Sequence, residues 1–135
     1  MVAACRQAGV AVTSIPGPSA VTTAVALSGF RGNGFVFAGF APRKSGALRR
    51  LLGELAACPV PVVVFESPYR LLKLLGEIEA VLGDRVVFVG RELTKKFEET
   101  RVGTPAELTA AYAGRTVKGE IVVVIAARVD RHEDG

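Results

Sequence analysis

Three short apolar runs, "VPVVVFE" (60–66), "RVVFVG" (85–90) and "GEIVVVIAA" (119–127), constrain this chain more than any other feature. None alternates apolar with polar residues, so both faces of each run need cover, as in a sheet packed between helices. Segments of helical period stand between and around them. "SGALRRLLGELAA" (45–57) repeats Leu48, Leu51, Leu52 and Leu55 at helical spacing. "SPYRLLKLLGEIEAVLG" (67–83) sets Leu71, Leu74, Leu75, Ile78 and Leu82 in one stripe, with Ser67 as N-cap and Pro68 at the first helical position. "TPAELTAAYAG" (104–114) starts with Thr104, Pro105 and Glu107, a capping box. "SAVTTAVALSG" (19–29) reads as a small-residue helix with Ser19 near its N-cap and Gly29 as terminator, and "VAACRQAG" (2–9) as a helix closed by Gly9. "GFVFAGF" (34–40) is a further buried strand, "EETRVG" (98–103) a short one, and "VAVTSI" (10–15) is β-rich.

This alternation predicts an α/β fold: a mixed, mainly parallel sheet of about five strands with helices on both faces. Two strand-like pieces follow one another between Gly90 and Thr104 with no helix between them, so one antiparallel pairing is expected there. Residues 1–127 are read as a single α/β domain. The polar tail "RVDRHEDG" (128–135) is expected to be disordered. The chain opens inside a helix with no strand before it, as expected of the back half of a longer protein.

Composition narrows the function classes. Half of the 135 residues are apolar and 22% are charged, which excludes a disordered chain. No apolar stretch reaches the length of a membrane span, and Arg6 interrupts the N-terminus where a signal peptide would be apolar. A cytoplasmic protein without membrane partners is the simplest reading. Cys5 and Cys58 sit in Ala-rich surroundings without metal-ligand spacing, and are expected to be buried free thiols. The net charge of +4 permits an anionic partner such as RNA without requiring one.

Several chemistries lack their residues. The single histidine, His132, lies in the polar tail expected to be disordered, and so builds no credible Ser-His-Asp triad. No Cys/His/carboxylate cluster suggests a metal. "GNGFVFAG" (32–39) starts like a dinucleotide fingerprint, but Phe37 takes the third glycine position and a strand follows instead of a helix.

Three polar loops remain, each at the end of a β-rich run. "IPGPSAV" (15–21) offers a helix N-terminus to a ligand, or is only a stiff turn. "VVVFESPYR" (62–70) either lines a site or is an N-cap with a Glu66–Arg70 surface pair of little worth. "RELTKKFEET" (91–100) has six charged residues in ten, and is either a site or a solvated turn. The expected convergence of all three on one sheet rim favours a site, because ligands of open α/β sheets gather at strand ends.

In their order and spacing, "IPGPSAVTTAVALSGF", "FAGFAPRKSGALRRLL", "VVVFESPYRLLKLL", "GRELTKKFEE" and "KGEIVVVI" resemble the small-subunit ribosomal RNA cytidine 2′-O-methyltransferase family, within the tetrapyrrole methylase superfamily. The resemblance covers nearly all of residues 2–127. Tyr69 and Ala41 depart from it, where family members usually show His and Leu. It implies two α/β domains with S-adenosyl-L-methionine between them, and a homodimer. This chain resembles the C-terminal domain alone, since the glycine-rich motifs of the other domain are missing, and that half alone is expected to be inactive. By position in the family pattern, Ser19, Ala20, Phe65, Leu93 and Gly119 are the expected cofactor-binding residues.

The implied chemistry moves a methyl group to a ribose 2′-hydroxyl, so a poorly acidic proton must leave. Glu98, or Glu99, is then a candidate base, and Lys95 a candidate stabiliser of the developing alkoxide. Arg43, Lys44, Lys96 and Arg101 are candidates for holding phosphates of ribosomal RNA or the small ribosomal subunit. Two alternatives stay open. One is methylation of a small tetrapyrrole, for which the dispersed cations of "APRK" and "RELTKK" argue less well. The other is a non-catalytic dimerisation module built on "PGPSAVTTAVALSGF".

Overall fold

The computed structural model describes residues 1–128; positions 129–135, with His132 and nearly all of the polar tail, lie outside the described residues. The elements run α1 (Val2–Gln7), α2 (Ala20–Ser28), β1 (Val36–Phe40), α3 (Ser45–Leu55), β2 (Val62–Glu66), a 3-10 turn (Pro68–Arg70) leading into α4 (Leu71–Leu82), β3 (Val87–Arg91), β4 (Glu99–Gly103), α5 (Pro105–Tyr112) and β5 (Ile121–Ile125). Their ends follow local chemistry. Ser19 Oγ accepts the Thr22 N–H at 3.4 Å, and Gly29 closes α2 in the left-handed region at φ 67°. Thr104 Oγ1 accepts the Glu107 N–H at 3.3 Å. Replacing Thr104 by alanine is expected to cost about 1 kcal/mol in thermal or denaturant unfolding, the loss of one N-cap.

The five strands form one mixed sheet in the order β1-β2-β5-β3-β4. The mainly parallel character expected from the sequence is corrected: only β1–β2 is parallel, while β2–β5, β5–β3 and β3–β4 are antiparallel. The cause is the hairpin expected between Gly90 and Thr104. It turns β4 against β3, and the β4–α5–β5 crossover then delivers β5 in the direction of β4. β5 thus runs against both neighbours, β2 and β3. It is the central strand, buried at all five positions.

Helices cover both faces, as the apolar runs require. Helices α3, α4 and α5 pack over Val62, Val64, Val87, Val89, Ile121, Val123 and Ile125, with Leu48, Leu52, Leu74, Leu75 and Ile78 in the same core. Each such side chain contributes roughly 1.5–3 kcal/mol by leaving water. On the other face α2 is the only helix among the described residues. Its Ala24 lies against Val63, Phe88, Val122 and Val124, the small residue letting the helix close on the sheet. Edge strand β1 lies beyond that cover, and its Phe37 and Phe40 stay exposed.

Two further expectations are corrected. Residues 10–15 form no strand and are exposed, since no other described strand lies beside them to complete a ladder. Cys5 and Cys58 are free thiols, but each is only partly buried. Cys5 sits on α1, which buries none of its residues.

Candidate functional site

The antiparallel entry of β5 decides which loops meet. The ends of β2 and β3 and the start of β5 align at one rim: Glu66 is registered with Ile121, and Arg91 with both Ile121 and Glu99. Phe40, at the end of β1, is registered with Phe65. The loops bearing Arg43 and Lys44, Ser67 to Arg70, Arg91 to Glu98, and Lys118 to Glu120 therefore all leave the same edge.

The loop after β3 is held in an unusual shape. Glu92 and Thr94 both lie in the left-handed region, at φ 50° and 66°, which costs a non-glycine residue about 1 kcal/mol or more. Specific contacts offset that cost. The Glu92 N–H donates to the Glu120 carbonyl at 2.9 Å, and the Thr94 N–H to Glu98 Oε1 at 3.0 Å. Lys95 Nζ pairs with Glu92 at 2.9 Å and with Glu120 at 3.1 Å. These carboxylates, Glu92 foremost, hold the Lys95 ammonium above its ordinary pKa, and Lys95 in turn lowers that of Glu92. Lys95 is thus a persistent cation. Glu98 is an exposed carboxylate fixed by one backbone donor.

Two glycines seat this loop. A Cβ on Gly90 would meet Leu93 Cδ2 at 2.9 Å, so buried Leu93 folds back onto the end of β3. Gly119 has φ 94°, and its Cβ would stand 2.3 Å from Glu92 Oε1. Only glycine admits both that backbone and the Glu92 carboxylate.

Leu93 and Phe65 face the α2 side of the sheet, in one cluster with Val21, Ala24 and Val122. Phe37 and Phe40 meet Phe65 edge-on, with ring centroids 5.0 and 5.5 Å away. At the start of α2, Thr22 and Thr23 bond back to Ser19, and the N–H groups of Ala20 and Val21 stand at the positive end of the helix. The structure thus brings Phe65, Leu93 and α2 together on one face, with Gly119 beside Leu93 through the loop. A half-buried aromatic ring, an apolar wall and a helix N-terminus fit a nucleoside-bearing cofactor such as S-adenosyl-L-methionine.

The expected phosphate contacts divide. Arg43, Lys44 and Lys96 are exposed at the rim, and Lys96 Nζ lies 5.5 Å above the Phe97 ring. Arg101 is turned away. Its register with Val89 puts it on the α5 side, where it bonds Glu99 at 3.2 Å and covers Tyr112. Glu99 is also bound by Arg115 at 2.9 and 3.0 Å and by Arg91 at 3.3 Å. These guanidinium groups, Arg115 first, lower its pKa to about 2, so Glu99 is a poor base. Among the described residues no His, Cys, Asp and Glu group could hold a metal.

Sequence reasoning missed Glu92, Glu120, Arg115 and the burial of Glu66. Glu66 is no surface residue: it is 5% exposed, and it accepts the Arg70 Nε–H at 2.9 Å and the Ser67 N–H at 2.7 Å. The Glu92–Lys95 spacing was a legible signal; nothing local marked Glu120 or Arg115.

Residues 1–109 match the sequence profile of the tetrapyrrole (corrin/porphyrin) methylases. The chain belongs to this family. Among curated tetrapyrrole methylase relatives, it is 48% identical over 134 residues to the ribosomal RNA small subunit methyltransferase I of Mycobacterium tuberculosis, covering 98% of this chain and 47% of that protein. It is 43% identical over 128 residues to the protein of the same name from Thermotoga maritima, covering 95% and 57%. The chain thus spans about half the length of these relatives. Solved structures share the fold at lower identity. The methyltransferase CobJ superposes with a TM-score of 0.63 at 18% identity, over 96% of this chain and 58% of that one. A cobalamin biosynthetic enzyme, cobalt precorrin-4 methyltransferase, gives 0.61 at 18%, over 93% and 56%.

Proposed function

We propose that this chain is the C-terminal domain of a two-domain, S-adenosyl-L-methionine-dependent methyltransferase acting on a cytidine 2′-hydroxyl of small-subunit ribosomal RNA. The observation that supports it best is the 48% identity to ribosomal RNA small subunit methyltransferase I across 98% of the chain, rim loops included. The same reading makes the protein a cytoplasmic homodimer. No helix of the described residues is long and apolar enough to cross a membrane.

When bound, S-adenosyl-L-methionine supplies an electrophilic methyl group. Ser19, Ala20, Phe65, Leu93 and Gly119 are the residues of this chain that would hold it. Arg43, Lys44 and Lys96 are spaced along the rim for phosphates, which set register without reading sequence. Lys95, kept charged by Glu92 and Glu120, suits stabilisation of an alkoxide, and Glu98 is the better-placed carboxylate to accept the proton. A chain that spans about half the length of its relatives would carry one wall of that site, so the chain alone is expected to be inactive.

Calorimetric titration with S-adenosylhomocysteine tests this, on the present chain and on a protein of the full length of the relatives. Binding in the longer protein alone is the expected result. Equal binding in both would overturn the split site. Failure of the longer protein to methylate small-subunit RNA would overturn the substrate. In that protein, single-turnover methylation left unchanged by Lys95→Ala or Glu98→Ala would remove the residue concerned from the mechanism.

A further inference from the structure

A second constellation lies on the same rim, but on the α4–α5 side of the sheet. A shallow depression of about 220 Å³ is lined by Pro68, Tyr69, Leu72, Tyr112, Arg115 and Thr116, among others. Tyr69 is 94% exposed, an aromatic ring turned wholly to solvent. Its backbone is fixed: Tyr69 sits in the 3-10 turn behind Pro68, and its N–H donates to Ser67 Oγ at 3.3 Å. Tyr112 is fully buried beneath, and its hydroxyl has no hydrogen-bond partner among the described residues. Three guanidinium groups, from Arg91, Arg101 and Arg115, gather on the single carboxylate of Glu99 beside it. Arg115 and Arg101 also lie 5.4 and 5.8 Å from the Tyr112 ring centroid.

An exposed ring on a fixed backbone, an unsatisfied buried hydroxyl and surplus guanidinium charge fit one nucleotide of single-stranded RNA. Bases stack on exposed aromatic side chains, and guanidinium groups take the phosphate. The place suits such a role. Tyr69 follows β2 by three residues and Arg115 precedes β5 by six, so the depression borders the rim loops while facing away from α2. An RNA strand laid along the rim would reach it as it leaves the proposed reaction site. We infer that this depression is a subsite for a nucleotide flanking the methylated one, its base stacked on Tyr69 and its phosphate held by Arg115 and Arg101. The inference rests on the ribosomal RNA reading above, and assigns a function to Arg101 on the opposite face from the cofactor residues.

Fluorescence anisotropy with a labelled single-stranded decaribonucleotide tests it on the present chain, with Tyr69→Ala, Tyr69→Phe and Lys96→Ala variants. Loss of one stacked base corresponds to about 5- to 150-fold weaker binding. Tyr69→Ala is expected to fall in that range, Tyr69→Phe to bind like the parent, and the unfolding midpoint to stay unchanged because the ring is exposed. Weakening by Lys96→Ala with no effect of Tyr69→Ala would overturn the subsite and leave the RNA reading standing. No RNA binding by the parent chain would overturn both for this domain. Equal displacement by a ten-residue polyglutamate peptide would show a plain anion patch and overturn the nucleotide assignment.

Discussion

Gly119→Ala is expected to abolish S-adenosylhomocysteine binding in a protein of the relatives' length and to lower stability by about 2 kcal/mol. Two effects add. At φ 94° an L-residue is strained by roughly 1–2 kcal/mol relative to glycine. The new Cβ would also stand 2.3–2.5 Å from the Glu92 side chain, so that carboxylate must leave. Glu92 then no longer restrains Lys95, and the left-handed stretch from Glu92 to Thr94 loses a support. Leu93, which lies between them and covers Gly90, shifts with it. Chemical denaturation and calorimetric titration read the two effects separately. A variant with parental stability and parental affinity would show that the Glu92–Gly119 contact neither shapes the loop nor bears on the pocket.

Acid stability is expected to hinge on Glu99. Its pKa, lowered from 4.5 to about 2, is set by Arg115 first, then by Arg101 and Arg91, and opposed by partial burial. The sign follows from linkage. A folded-state pKa below the unfolded one favours the folded state once the unfolded carboxylate has ionised. The stabilisation is therefore complete above about pH 5 and is lost progressively as the pH falls toward 2. Allowing for the partial exposure of Arg101 and Arg115, its size is about 2 kcal/mol. Glu99→Gln should lose that amount at neutral pH and flatten the dependence between pH 5 and 2. Parallel stability–pH curves for parent and variant would show that the arginines gain nothing from Glu99. The same measurement bears on mechanism, because a carboxylate this acidic leaves Glu98 as the candidate base in the "RELTKKFEET" loop.

Much of this molecule is written locally. Ser19, Ser67 and Thr104 cap where their short side chains and the residues behind them say they should. The leucine stripe of α4 buries Leu71, Leu74, Leu75 and Ile78, because a 3.6-residue period leaves one face to bury. The uniform apolarity of residues 121–125 announced a strand covered on both sides. Two of the three motif loops, after β2 and β3, could be placed at a rim from the strands they follow; "IPGPSAV" could not, because residues 10–15 form no strand.

What the sequence alone could not carry was direction and pairing. Apolar runs state that strands are buried, but hydrophobicity has no sense of up or down, so the parallel character was overestimated. β5 enters reversed because the β3–β4 hairpin reversed the chain first, and that entry lines Arg91 and Glu66 up with Ile121. The hairpin also divides one charged stretch between the rim loop and β4. Lys95 stays at the rim with Glu120, while Glu99 and Arg101 turn to Arg115 and Tyr112. The sequence by itself determined the helices and the five strands of the sheet, residues 10–15 excepted, since those depend on short-range periodicity and capping. Only the tertiary structure decided which charges meet, because ion pairs between Lys95 and Glu120, or Glu99 and Arg115, join residues 25 and 16 positions apart and exist only once the sheet has set their register.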